Sequence, residues 1–316
     1  MKNPRHTDGG SASETGTYSN PIEQFRAAIS EVGIVPPSHI EADGAIHRYH
    51  VEGDKHSRKD GWYCLHLDGI PAGSFGHWRE GISHTWSAKQ KHLMTTAERA
   101  EHHHRMDDAR RQRAELERHN HEQAAIRAKS IFAPATLASD THLYLVKKGI
   151  SAGIAKQSRG ALVLPIVSFD NKLASLQFIQ PDGSKRLLSG GAKRGNYIPA
   201  GGNVMEPSRV IICEGWATGR TLSELDPAAL IMAAIDAGNL QAVAMNARAK
   251  WPHLPLVIAG DDDRLTDGNP GRTKANAAAI TSGASLMFPQ WGDDMPQSLS
   301  DWNDWRQWMR TNGGGS

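Results

Sequence analysis

The chain has 316 residues, 39% of them hydrophobic, with a formal net charge of +2 and two cysteines. That length allows two or more domains with their own cores. No run of about 18 apolar residues could span a bilayer, and Cys64 and Cys213 form no CxxC pair, which excludes a disulfide framework and a zinc module built on paired cysteines.

A reducing cytoplasm is the expected setting. Without a global basic excess, any nucleic-acid binding must come from local patches. Residues 1–20 are polar and lack the apolar stretch of a secretory signal, so they read as a disordered lead.

A small β-rich module is expected over 21–87. It opens with an amphipathic helix, Ile22 to Val32, ended by Gly33 and Pro36-Pro37. Short runs follow at Ile46 to Val51 and Trp62 to Leu67, with Asp-Gly turn signals at Asp43, Asp60 and Asp68. Trp62, Tyr63, Phe75, Trp78 and Trp86, with Arg48, Lys55, Arg58, Lys59 and Arg79, would suit single-strand binding by stacking and charge. A small β module also needs aromatics for its core.

Residues 88–140 are dominated by Ala, Glu, Arg, Gln and His, with no Gly or Pro between Ala88 and Phe132. The pattern predicts a long charged helix, a connector with a solvated face. His102, His103 and His104 are adjacent, so on a helix they point in different directions and make a poor metal site.

A β-rich subdomain is expected over 141–206. A short helix precedes strands at Leu162 to Ser168, Leu173 to Ile179 and Arg186 to Leu188, separated by turns at Asp170-Asn171 and Asp182-Gly183. This reads as an antiparallel meander. Lys185, Arg186, Lys193 and Arg194 then cluster with Gly190, Gly191 and Gly195. Such a loop could hold template or nucleotide phosphates, or be an ordinary exposed hairpin.

From 207 to 312 strand and helix alternate. Strands are expected at Arg209 to Cys213, Ala229 to Ala234, Leu256 to Ala259 and Ser285 to Phe288. Helices are expected at Trp216 to Leu225, Leu240 to Ala249 and Arg272 to Ser282. The alternation predicts an α/β fold, a parallel sheet flanked by helices. Residues 313–316 look like a tag-like tail.

Ligands of open parallel sheets gather at the carboxyl ends of the strands, and three acidic motifs fall there. IICEGWATG puts Glu214 just past the first strand, with Gly215 expected to permit a tight turn. VIAGDDDR puts Asp261, Asp262 and Asp263 past the third. Residues two apart in an extended segment share a side, so Asp261 and Asp263 should face one site and Asp262 should face away. SLSDWNDW adds Asp301 and Asp304.

Carboxylates so close repel unless protonated or neutralised by a cation. A hard divalent ion such as Mg²⁺ takes oxygen ligands and bridges to phosphates. The Asp triplet alone would equally suit a polar loop and helix N-cap. Arg272 and Lys274, at the start of the next helix, would assist nucleotide phosphates or simply be solvated.

Residues 208–304 resemble the Toprim domain of bacterial primases, topoisomerases and some nucleases. The resemblance rests on Glu214-Gly215 after a first strand and Asp261-x-Asp263 after a later one, 47 residues on. Asp301, Asn303 and Asp304 resemble the variant in phage, plasmid and mobile-element primases. LYLVKKGI, the strand-rich stretch Leu162 to Pro199, and Gly61 to Trp78 resemble other parts of those proteins.

The resemblance implies a DNA primase that makes short RNA primers on single-stranded DNA from nucleoside triphosphates. It implies Mg²⁺, or Mn²⁺, at Asp261 and Asp263, with Asp301 and Asp304 completing the acidic rim. Glu214 would act as general acid/base or hold a second ion. No zinc and no membrane partner are expected. With no GxxxxGK[ST] loop in the sequence, a helicase would be a separate partner. A Toprim nuclease would use the same carboxylates, and a non-catalytic replication adaptor is the third reading.

Overall fold

The computed structural model of the chain describes residues 20–52, 59–77, 82–88 and 95–312. The side chains of residues 97–99, 101–102, 105–106, 109–110 and 112–113 are outside that description. The expected disordered lead (apart from Asn20) and tag-like tail, the basic and aromatic positions Lys55, Arg58, Trp78 and Arg79, and the side chain of His102 therefore lie outside the described residues. The chain divides into two compact units, Met1–Arg111 and Gln112–Ser316.

In the first unit, helix α1 (Pro21–Glu31) packs on a four-stranded antiparallel meander, β1 (His47–Tyr49), β2 (Gly61–His66), β3 (Ala72–His77) and β4 (Ile82–Ser87). Phe25 and Ile29 of α1 meet Tyr63, Leu65 and Phe75. Phe25 lies edge-on to Phe75 at 5.5 Å and to Trp86 at 5.4 Å. Tyr63 and Phe75 are therefore core residues rather than a stacking platform, because so small a sheet needs large aromatics to exclude water. Gly44 and Gly69 take the positive φ of turn positions, whereas Gly61 does not and begins β2.

Helix α2 (Thr96–Phe132) is long and charged, as its composition predicts. His103 and His104 pair with Asp107 and Asp108, each at 2.9 Å, along its exposed surface. Its last turns are more than a connector. Ala124 and Ala128 are fully buried, and Ala128, Ile131 and Phe132 pack against Val163, Leu176 and Phe178. Small residues four apart let the helix backbone approach a sheet closely.

The second unit carries two sheets. An antiparallel one is ordered β5 (Thr136–Leu137), β6 (Lys156–Ser158), β7 (Ala161–Val167), β8 (Leu173–Ile179) and β9 (Lys185–Leu187), with helix α3 (Leu143–Lys148) between β5 and β6. The other has the order β10-β12-β11-β13-β14. Its members are β10 (Ile198–Gly202), β11 (Val210–Cys213), β12 (Leu230–Ala233), β13 (Leu256–Ala259) and β14 (Ser285–Met287).

Strands β11 to β14 are parallel and β10 is an antiparallel edge. A two-way backbone bridge between Val167 and Tyr197 joins the sheets. Helices α4 (Trp216–Leu225), α5 (Leu240–Lys250), α6 (Pro270–Ser282) and α7 (Trp302–Asn312) complete the unit.

Alternation along each parallel strand builds two cores. Ile211, Cys213, Ile231, Ala233 and Ala259 face one that also contains Leu162, Leu164, Tyr144 and Trp216. Val210, Ile212, Leu230, Met232, Leu256 and Ile258 face the other, against α5 and α6. Residues 141–206 and 207–312 thus share a core.

No strand was expected at 198–202, and β10 holds Pro199, Gly201 and Gly202, which an edge strand tolerates. It ends at Gly202, with φ +84°, where an added Cβ would stand 1.8 Å from the Ala229 carbonyl oxygen. Gly202→Ala is expected to destabilise this unit by about 2–4 kcal/mol, measured by urea unfolding of the full chain. An unchanged midpoint would contradict this account of the edge.

Candidate metal centre at the strand ends

The chain leaves β11 for β12 on one side and returns to β13 on the other, so the ends of β11 and β13 flank the switch point of the sheet. Open parallel sheets place ligands there. The register aligns Cys213 with Ala259, which sets Glu214 and Asp261 just beyond neighbouring strand ends. The expected tight turn is present, since only Glu214 and Gly215 separate Cys213 from Trp216, and Gly215 makes it as the N-cap of α4 at φ −102°, an ordinary extended value.

Glu214, Asp263, Asp301 and Asp304 all act electrostatically on Asp261, Asp263 also on Glu214, and Asp304 also on Asp301. Burial, and then Asp301, Glu214, Asp263 and Asp304, push the Asp261 carboxyl well above the usual carboxylate range. Burial first and Asp263 second raise Glu214, opposed by an N–H from Ala237 and by Lys185. Burial also raises Asp301, against Lys148.

Asp263 Oδ2 accepts the Gly271 N–H at 2.8 Å, so it sits on the N-terminus of α6. A Cβ at Gly271 would come within 2.9 Å of that oxygen and 2.8 Å of the Asp261 carbonyl oxygen, so only glycine allows this approach. Asp301 and Asp304 also cap α7. Asp301 Oδ1 accepts the Asp304 N–H at 2.7 Å, and Asp304 Oδ2 the Ser300 N–H at 3.2 Å.

Asp261 Oδ1 is buried without a hydrogen-bond partner. A buried acceptor left unsatisfied is costly, and five carboxylates on one rim form the hard-oxygen donor set that a divalent cation takes. These residues fit such an ion. Among the described residues, three ligand atoms come within 4.8 Å of one another only at Glu41, Asp43 and His47 in the first unit, so the strand-end carboxylates stand farther apart than that.

Of the expected basic residues, Lys185 faces the acidic group. Surrounding protein and then Lys148 lower its pKa, while Asp301, Glu214 and Asp261 pull it back. Lys193 donates to Asp236 at 2.7 Å. Arg186, next to Lys185 on β9, lies over the Phe178 ring at 4.8 Å. Arg272 pairs with Asp262 and lies over Phe288, instead of standing free for phosphate. Arg194 and Lys274 are exposed.

The Gly-rich loop is not a free hairpin. Arg127 donates to Ser189 O at 2.8 Å. Asn239, 2% exposed, accepts the Gly195 N–H and donates to Asn196 O, and Asn246 donates to Gly195 O.

Two residues at the site were missed. Lys148, at the end of α3, reaches Asp301 at 3.9 Å and Asp304 at 3.7 Å. Asp236 follows β12 and acts electrostatically on Glu214. The preceding Ile235 has φ +79°, an outlier for a β-branched residue, and this bend accompanies the turn that brings the Ala237 N–H to Glu214. Position alone, the first acidic residue after a parallel strand, could have flagged Asp236.

Residues 209–310 match the family model of the Toprim domain. Over 281 residues, 85% of this chain, the sequence is 37% identical to a DNA primase TraC of Escherichia coli. A second protein of that name and organism is 35% identical over 290 residues, 87% of this chain. The matched part is 26% of the first relative and 20% of the second, so the chain spans about a quarter or less of their length. Among solved structures, the DnaG primase catalytic domain bound to ssDNA matches 62% of this chain and 76% of its own, at 14% identity and a TM-score of 0.41.

Proposed function

We propose that this chain, whose residues 209–310 form a Toprim domain, is a DNA primase of the mobile-element type. It would join ribonucleotides into short primers on a single-stranded DNA template. The observation that carries this reading is that Glu214 and Asp261 follow neighbouring strand ends at the switch point, with Asp263 acting electrostatically on both and Asp261 Oδ1 left unsatisfied, in a chain similar to TraC primases.

Asp261 and Asp263, with Asp301 and Asp304 on the rim, would hold Mg²⁺, which would offset phosphate charge during nucleotidyl transfer. Glu214, its carboxyl raised by burial, would take the proton of the attacking 3′-hydroxyl. Lys185 and Lys193 would meet the triphosphate at the mouth of the site, and Arg194 and Lys274 would contact phosphates from the exposed surface.

The setting is the cytoplasm, and the template strand would be delivered by a separate helicase. Among the described residues, no helix is long and apolar enough to cross a membrane.

The test is incubation with single-stranded DNA, labelled ribonucleotides and Mg²⁺. Template-dependent oligoribonucleotides are expected, and they should vanish in Asp261→Ala. Strand cleavage without synthesis would replace the primase by a Toprim nuclease. If neither appears and Asp261→Ala binds DNA as wild type does, the adaptor reading stands.

A further inference from the structure

The carboxylate between the two expected metal ligands is bonded quite differently from theirs. Asp262 is 4% exposed and turned toward α6. Its Oδ1 accepts from Asn269 Nδ2 at 2.7 Å and from Arg272 Nε at 3.1 Å. Its Oδ2 accepts from Arg272 Nη2 at 3.0 Å and from Trp291 Nε1 at 2.9 Å. Four donors fill the lone-pair sites of one carboxylate, so Asp262 has no oxygen left for an ion. The Arg272 bonds, above the other causes, hold its pKa down to about 2.

The same residue reaches the rim through its backbone. The Asp262 N–H donates to Ser300 O at 2.7 Å. Beside it, the Arg264 guanidinium lies 4.3 Å from the centre of the Trp291 ring and donates to Pro296 O at 2.8 Å and Leu299 O at 3.0 Å. Both ends of the 291–300 segment are thereby tied to the end of β13. That segment delivers Asp301 and Asp304 to the acidic rim. Placement of groups bonded to metal ligands commonly matters nearly as much as the ligands themselves.

We propose that Asp262 is a positioning residue of the metal centre. Through Trp291 and Ser300 it sets where Asp301 and Asp304 stand relative to Asp261 and Asp263, and so sets the affinity for the divalent ion. The inference rests on the strand-end carboxylates being a metal site, as proposed above.

The test titrates Mn²⁺ into the full chain while free Mn²⁺ is followed by electron paramagnetic resonance. It compares wild type, Asp261→Asn, Asp262→Asn, Trp291→Phe and the Asp262→Asn/Trp291→Phe double variant, with thermal melts as the folding control. Trp291→Phe keeps an aromatic ring under Arg264, though a smaller one, and removes the N–H. Asp262→Asn should weaken Mn²⁺ binding about tenfold and Trp291→Phe about threefold. The double variant should be no weaker than Asp262→Asn, because the Trp291 contact is one of those that Asp262→Asn already disrupts.

Wild-type affinity in Asp262→Asn and Trp291→Phe, with Asp261→Asn weakened, would overturn the positioning role and leave the metal site intact. No binding by wild type, or wild-type binding by Asp261→Asn, would overturn the site and the positioning role together. Should Asp262→Asn fail to fold, Trp291→Phe decides, since an unchanged affinity there overturns the proposal.

Discussion

Asp261→Asn is expected to lower primer synthesis by about a thousandfold, near 4 kcal/mol of transition-state stabilisation, while single-stranded DNA binding stays close to wild type. Asp261 has a carboxyl raised by burial, feels four other carboxylates, and has a buried oxygen with no partner. Asparagine keeps its size and removes the charge that would draw an ion into the site. Glu214→Gln should cost about a hundredfold, in kcat and not in the KM for nucleotide, because it removes a proton acceptor and leaves the phosphate contacts. Initial rates of labelled ribonucleotide incorporation at saturating template check both. An Asp261→Asn rate within about tenfold of wild type would remove this residue from the chemistry.

The second expectation concerns stability. Without a divalent ion, the protein should become less stable as pH rises from about 4, the carboxylate range of an unfolded chain. Glu214, Asp261 and Asp301 all have carboxyls raised above that range, mainly by burial. The folded chain therefore holds protons that the unfolded chain has already released. Each step upward in pH favours unfolding until the folded-state values are passed, and the penalty is then constant.

A tenfold difference in proton affinity corresponds to about 1.4 kcal/mol. An ion bound only to the folded state reverses the loss, by about 2.7 kcal/mol at a hundred times its Kd. For a unit of this size that is about 5–10 °C in Tm. Melting curves between pH 4 and 8 in chelator should fall with pH, and saturating Mg²⁺ should lift the upper end alone. A chelated protein whose Tm rises steadily over that range would contradict the linkage.

The site was more legible in the sequence than its supports were. Glu214, Asp261 and Asp263 could be placed because β11 and β13 are short apolar runs, and period-two alternation carries past their ends. The parity that sends Ala259 to one core and Ile258 to the other also separates Asp261 from Asp262. The same rule says only that Asp262 faces away. It does not disclose that Arg272 and Trp291 wait on that side, because those partners come from 10 and 29 residues downstream.

Asp236 could have been flagged by its place after β12, but the turn beside it runs through the positive φ of Ile235, a conformation that an isoleucine does not advertise. Strand β10 escaped because proline and glycine mark loops, and an edge strand tolerates both. The packing of α2 escaped because alanines are weak hydrophobic signals, although Ala124 and Ala128 are fully buried. In the first unit, of the two roles open to the aromatics, a stacking surface or a core, Tyr63 and Phe75 take the core.

The central claim is that the carboxylates ending β11 and β13 are held together by a divalent ion. Its most direct test is the Tm of wild type and Asp261→Asn at pH 7.5, each with chelator and with saturating Mg²⁺. The order of stabilities should invert. In chelator Asp261→Asn should melt higher, because one of the repelling buried carboxylates is gone. In Mg²⁺ wild type should melt higher, because it alone keeps the full ligand set. Equal Mg²⁺ shifts in the two proteins, or none in either, would contradict the claim.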